Sequence, residues 1–387
     1  MGANRKLEQQ IAVFGEGGSG KTVLLSSFFG ATEDPEHGKD RYFEISADSI
    51  GQGQALRQNY LDMEKNAKVP LPTMLKNHSY SFTITPKRSE WAKRREKNPV
   101  EALRLTWHDY PGEWFEQDLS SQTEARRRVE TFRSLLGSDV ALLLVDGQQL
   151  LDYKGDEQRY LKSLFGKFRG GLASLREEIL ENNKPFVDFP RIWVVALSKA
   201  DLHPNLDVQE FKDLIIHKAA HELDALRQEI AKFISTKKAL SVGEDFLLLS
   251  SAKFEPEAIR VKERIGIDML LPLAAILPFE RLVRWEERLQ IPRKVAESFF
   301  DGAAPAIAMI LLSRFRMPGP LGLLQKAVAG LFAKGVMDEA MDLVKHKLVE
   351  ANQAAKDRQD YLTATLTGFK MDLERGEEEG VLLRSKR

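Results

Sequence analysis

No cysteine occurs anywhere in the 387 residues. Disulfides, thiolate nucleophiles and cysteine-ligated metal sites are thereby excluded, and a reducing compartment suits such a composition. An excess of charge is also lacking: 57 lysines and arginines stand against 57 aspartates and glutamates, a formal net charge of zero. A chain so balanced exerts no global pull on nucleic acid or on an anionic membrane, so nucleic acid is not an expected partner. A membrane surface would have to be reached through a local patch. Long apolar runs are missing too. Spanning a bilayer takes about 20 consecutive apolar residues, and the longest stretch, Gly302 to Ser313, falls short and is followed by Arg314 and Arg316. The opening residues, MGANRKLEQQ, are polar and lead into a strand-like segment, which is unlike a secretory signal. The expected location is cytoplasmic.

What is present reads as an α/β chain. Short apolar runs at Ile11–Phe14, Tyr80–Thr85, Leu103–Trp107, Val140–Val145, Ile192–Leu197 and Phe246–Leu249 alternate with segments of helical periodicity. Runs as continuous as Val140–Val145 suit central parallel strands covered on both faces. Leu161, Leu164, Phe165, Phe168, Leu172 and Leu175 mark one helix; Phe211, Leu214, Ile215, Leu223, Leu226, Ile230 and Phe233 mark another. From about Ile291 the pattern turns wholly helical. An apolar segment, Gly302–Phe332, is broken at Pro318-Gly319-Pro320 and could pack on the core, meet a partner or touch a membrane surface. A long amphipathic helix follows on Met337, Met341, Val344 and Leu348, and the charged tail after Arg375 is expected to fray. The expected layout is an α/β domain over residues 8–290 and a helical region over 291–387.

The first apolar run ends in Gly15-Glu16-Gly17-Gly18-Ser19-Gly20-Lys21-Thr22, which matches G-x-x-x-x-G-K-[ST]. Glycines let the backbone curl so that its N–H groups form a nest for phosphate oxygens, and the helix that follows adds its positive end. Lys21 would reach the β- and γ-phosphates of a nucleotide, and Thr22 would bind Mg²⁺. The context is right, because a strand precedes the loop and a helix, Val23–Phe29, is expected after it.

Three later motifs, each at the end of an apolar run, bear on the base and the hydrolysis. Asp109-Tyr110-Pro111-Gly112 has the form D-x-x-G: an acid that can hold Mg²⁺ through water, and a glycine whose N–H can meet a γ-phosphate. Ser198-Lys199-Ala200-Asp201 has the form of [NT]KxD, with serine in place of asparagine or threonine. Ser251-Ala252-Lys253 stands as an SAK motif directly after the run Phe246–Leu249. Together with the phosphate loop, these motifs make the chain resemble the Ras-like, TRAFAC-type P-loop GTPases. The resemblance implies a mostly parallel sheet, bound GTP or GDP and Mg²⁺. It further implies that Asp201 accepts from guanine N1–H and the exocyclic amine, that Lys199 lies over the base, and that a backbone N–H of the SAK segment contacts guanine O6. Ser198 would weaken a tether to the phosphate loop while leaving the base contact intact. The phrase Asp109-Tyr110-Pro111-Gly112-Glu113-Trp114 is further similar to the YcjX-type, DUF463-related bacterial proteins, over roughly residues 8–290.

The same resemblance requires a threonine that caps Mg²⁺ and senses the γ-phosphate, and Thr73, in Pro70-Leu71-Pro72-Thr73, is the best candidate, ahead of Thr32 and Thr83. The stretch from Gly30 to Thr73 is long for a minimal Ras-like domain, so an inserted lid over about 31–72, with a helix near Gln54–Lys68, is expected. Glu113 replaces the glutamine that orients the attacking water in Ras. Its carboxylate can still accept from that water although its charge opposes the phosphate, which implies slow turnover. The Arg126-Arg127-Arg128 run is either an arginine finger or a solvated helix face. The expected function is a slow GTP-hydrolysing switch that signals to a protein effector or regulator through its switch segments and C-terminal helices, possible also as an oligomer. The alternatives are an ATPase using the same loop and a nucleotide-binding scaffold that does not hydrolyse.

Overall fold

The computed structural model describes residues 8–33, 43–71, 78–86, 103–109, 112, 122–180, 185, 191–234, 240–289 and 358–385. Among the described residues, eight strands form one sheet. In chain order they are β1 (Glu8–Phe14), β2 (Phe43–Ala47), β3 (His78–Pro86), β4 (Leu103–Asp109), β5 (Val140–Asp146), β6 (Arg191–Ser198), β7 (Leu240–Leu248) and, after a separate hairpin of β8 (Lys253–Glu255) and β9 (Ala258–Arg260), β10 (Leu382–Leu383). Their order across the sheet is β10-β7-β6-β5-β1-β4-β3-β2. The centre is parallel: β1 pairs with β4 and β5, β5 with β6, and β6 with β7. The two margins are antiparallel, with β2 and β3 on one side and β10 on the other. This is the expected α/β architecture with a mostly parallel sheet.

Burial on both faces explains the central strands. All seven residues of β5 are buried, and successive side chains of one strand serve opposite layers. Ile11, Val13, Leu142 and Leu144 face one apolar core, while Ala12, Phe14, Ala141, Leu143 and Val145 face the other. The first layer is roofed by α1 (Lys21–Gly30), α8 (Leu270–Leu289) and α9 (Arg358–Glu378). The second is roofed by α3 (Gln122–Leu136), α5 (Glu157–Ser174) and α7 (Val208–Ile230), joined by the short helices α4 (Gly147–Asp152) and α6 (Arg176–Ile179). Helix α7 opens with a capping box, Asp207 accepting from the Glu210 N–H and Glu210 from the Asp207 N–H, which satisfies two donors that a helix start otherwise orphans. No helix among the described residues is long and apolar enough to cross a membrane.

Two features depart from the sequence expectation. The insertion after α1 holds a strand as well as a helix: β2 adds to the sheet edge before α2 (Ile50–Asn66), which packs on α1. And the charged tail does not fray. Leu366, Phe369, Leu373 and Leu382 join the same core as α1 and α8, and β10 pairs Leu382 with Leu247 and Leu383 with Phe246. Polar contacts close the edge. Arg384 pairs with Glu280 at 2.9 Å and Glu377 at 2.6 Å, and the Ser385 N–H donates to Asp245 at 2.8 Å. Asp245, completely buried on β7, also accepts from the buried Arg281 of α8. Burial pushes the Asp245 carboxyl upward, against the opposing pull of the Arg281 guanidinium. The two leucines at 382 and 383 outweigh the charges around them because a sheet edge stood open beside β7.

Candidate functional site

The strands β1, β4, β5, β6 and β7 deliver the motifs to one end of the sheet, where α/β folds place ligands. A cavity of about 450 Å³ opens there, lined by the residues 17–22, Asp109 and Gly112, and by Ser198, Lys199, Asp201, Ser250 and Ser251. Four segments scattered over the chain thus meet at a single space.

The loop after β1 takes its shape from glycine. Gly18 (φ 77) and Gly20 (φ 89) are in the left-handed region, where a side chain is strained. At Gly15 a Cβ would come within 2.4 Å of the Ser19 hydroxyl. Lys21, only 8% exposed, folds back to donate to the carbonyls of Gly15 (2.8 Å) and Glu16 (3.0 Å). Glu16 is anchored from behind by Lys167 of α5 at 2.6 Å. Gly112 sits directly on this loop, its Cα so close that an added Cβ would lie 2.4 Å from both the Glu16 carbonyl carbon and the Gly17 nitrogen.

Thr22 Oγ1 stands 3.5 Å from Asp109 Oδ2. A hydroxyl and a carboxylate at the mouth of a phosphate loop are the hard oxygen donors that Mg²⁺ takes, one or two from the protein and the rest from water and phosphate. The donor set therefore fits that ion. Asp109 is buried, and its neighbour Tyr80 on β3 has its phenol pushed up to about 12, first by burial and then by the Asp109 charge. The ring stays neutral at any physiological pH. Thr73, Glu113 and the rest of Tyr110–Trp114 apart from Gly112 lie outside the described residues.

At the other end of the cavity, Asp201 Oδ1 accepts from Ser250 Oγ at 2.6 Å. Lys199 holds a left-handed backbone (φ 52), which costs a non-glycine residue about 1 kcal/mol. Its ammonium is held by Asp146 at the end of β5, 2.8 Å away, and Asp146 in turn caps α4 through the Gln148 N–H. Ser198, fully buried, donates to the Val145 carbonyl at 3.3 Å. Of the SAK segment only Ser251 lines the cavity; Ala252 is buried, and Lys253 begins β8 and reaches Glu255 and Glu263. Gly15 stays beneath the loop and does not line the cavity.

The arginine run lies apart from the cavity. Arg128 is buried and bonds Glu124 on its own helix, and Arg126 and Arg127 are exposed. Residues without a motif complete the site. Ser250 stands one position before the SAK segment, and a doubled serine after β7 was the available signal. Asp146 is signalled by an acid that ends a buried strand. Val69, Pro70 and Leu71 after α2, with Phe254 on β8, form apolar walls that are exposed in the open cavity, Leu71 by 80%. Pro70 and Leu71 were singled out only as the flank of Thr73, and Val69 and Phe254 lack any motif, because only the fold brings them to the rim.

The family model Double-GTPase 2 matches residues 9–246. No curated protein matches the chain. Among solved structures, an oligomerised bacterial dynamin pair, described as providing a mechanism for the long range sensing and tethering of membranes, is 13% identical over 97% of this chain, with a TM-score of 0.26. The match covers 66% of that structure's own chain, just under two thirds, and a superposition so loose supports no inference about function.

Proposed function

Because the chain belongs to the Double-GTPase 2 family, and so to the P-loop GTPases, we propose that it is a guanine-nucleotide switch that hydrolyses GTP slowly with Mg²⁺ and passes its state to a protein partner. The observation that carries this reading is the single cavity in which a phosphate loop, Asp109 with Gly112, and Asp201 with Ser250 face one another. In it, Lys21 and the loop amides hold the β- and γ-phosphates. Thr22 and Asp109 hold Mg²⁺, which when bound supplies neutralising charge to the phosphate oxygens. Asp201, kept in place by the Ser250 hydroxyl, accepts from guanine N1–H and the exocyclic amine, which adenine does not offer as a pair. A buried acceptor left unmatched is what makes such discrimination large.

Hydrolysis is assigned to positioning by Lys21, Thr73, Gly112 and Glu113, with turnover on the order of 10⁻⁴–10⁻² s⁻¹ for an unassisted switch. Gly112 resting on Glu16 and Gly17 supports the switch assignment, since a γ-phosphate bound at this loop would meet the segment directly. The narrower kinship with YcjX-type proteins, on the DYPGEW phrase, belongs to the same proposal. So does a GTPase domain over residues 8–290, to which 358–385 return. The protein partner would read the switch segments and the C-terminal helices.

The test is competition at equilibrium with the purified full chain. GTP and GDP should displace a fluorescent guanine nucleotide in a Mg²⁺-dependent manner, with ATP weaker by several orders of magnitude. Asp201→Asn should lose guanine affinity and gain affinity for xanthine nucleotides, whose added carbonyl needs a donor. Equal affinity for GTP and ATP, or binding indifferent to Mg²⁺, would overturn the reading.

A further inference from the structure

We infer that Ser27 of α1 is a positioning residue for guanine recognition: it orients the peptide unit between Ser251 and Ala252. The inference rests on the guanine-switch reading and deepens it.

Consider what holds the two base-side loops. They are tied to each other, by Ser250 Oγ on Asp201 at 2.6 Å and by the Ala200 N–H on the Leu249 carbonyl at 3.0 Å. Neither bond reaches the phosphate side. The residue expected to make that tether is Ser198, and its short side chain turns instead to the Val145 carbonyl of β5. The connection is made from α1. Ser27 Oγ donates to the Ser251 carbonyl at 2.7 Å, across 224 residues of sequence and with both residues buried.

That carbonyl belongs to the same planar peptide as the Ala252 N–H. Holding the oxygen fixes the direction of the N–H opposite it, and a backbone N–H of this segment is the donor that the guanine-switch reading directs at guanine O6. A hydrogen bond accepted by a carbonyl also polarises its peptide and strengthens the N–H as a donor. The anchor is rigid. Ser27 lies six residues beyond Lys21 on an unbroken helix, about 9 Å along the axis. Phosphate contacts and base contacts are thus mounted on one rod. Serine is a poor choice for a helix interior, where its hydroxyl competes for backbone groups. Its neighbour Ser26, equally buried, accepts from Asn59 of α2 at 3.2 Å. Each of the paired hydroxyls fastens α1 to a different element.

The experiment compares Ser27→Ala with the wild-type full chain, using GTP and 2-aminopurine riboside triphosphate, which keeps the phosphates, ribose and exocyclic amine but lacks O6 and, with it, the N1–H. Ser27→Ala should weaken GTP by about 5- to 30-fold, the range for a lost buried hydrogen bond, and leave the analogue within a factor of two. The ratio of the two affinities therefore collapses. Ser27→Cys, close in size and a weak donor, should fall between. An unchanged ratio, or equal loss for both ligands, overturns the inference. Failure of the wild-type protein to prefer GTP over ATP would instead overturn the guanine-switch reading, so the two failures are distinguishable.

Discussion

Replacing Gly112 by alanine puts a methyl carbon 2.4 Å from the Glu16 carbonyl carbon, 2.4 Å from the Gly17 nitrogen and 2.7 Å from the Glu16 oxygen. Carbon atoms pack best at about 3.5–4.0 Å, so the two segments must part by about 1 Å. All three atoms are backbone, and no flexible side chain can give way. Overpacking of this kind costs about 1–3 kcal/mol. The cost falls on the phosphate loop in the conformation where Lys21 bonds the Gly15 and Glu16 carbonyls. On the proposed reading, it would also move the Gly112 N–H away from a bound γ-phosphate. Converted, the same energy is about 5- to 150-fold in affinity. Gly112→Ala should therefore weaken the non-hydrolysable triphosphate by a factor in that range and GDP by much less, as read by calorimetry in Mg²⁺. Equal loss for the two nucleotides, or none, would refute the claim that this contact couples the switch glycine to the loop.

Two further outcomes follow from polar groups in the fold. Asp245→Ala removes the buried carboxylate that Arg281 bonds, with Glu244 still 3.7 Å from the guanidinium, and breaking such a buried pair costs about 3–5 kcal/mol; Asp245→Leu with Arg281→Met should recover most of that in denaturant unfolding, and no difference between single and double variants would count against a tightly coupled pair. His108, on β4 between Ser79 and Gln10, has its imidazole held below 6.5 chiefly by burial, against the pull of Glu8. Its unfolded form binds the proton first as pH falls, so its contribution is intact above 6.5 and is lost below it, toward the lowered folded value. Thermal unfolding across that window should be less pH-dependent in His108→Gln; an identical slope would exclude this histidine as the cause.

The phosphate loop was legible in the sequence because its chemistry is local: eight consecutive residues supply the glycine conformations, the lysine and the hydroxyl. The central strands were legible for a related reason, since burial on both faces writes itself as a continuous apolar run. Asp109, Asp201 and Ser251 could be picked out because each ends such a run. The partners of these residues are another matter. Ser250 meets Asp201 across 49 residues and Ser27 meets Ser251 across 224, distances over which no periodicity or spacing carries information. The C-terminal strand was misread for the same reason. Its residues look solvated until the open edge of β7 and the buried Asp245 supply leucine and Ser385 N–H with partners. Local conformation and burial are written in the sequence of each element. Which side chains finish the site depends on where the crossovers of a parallel sheet set those elements down, and that was decided by tertiary packing alone.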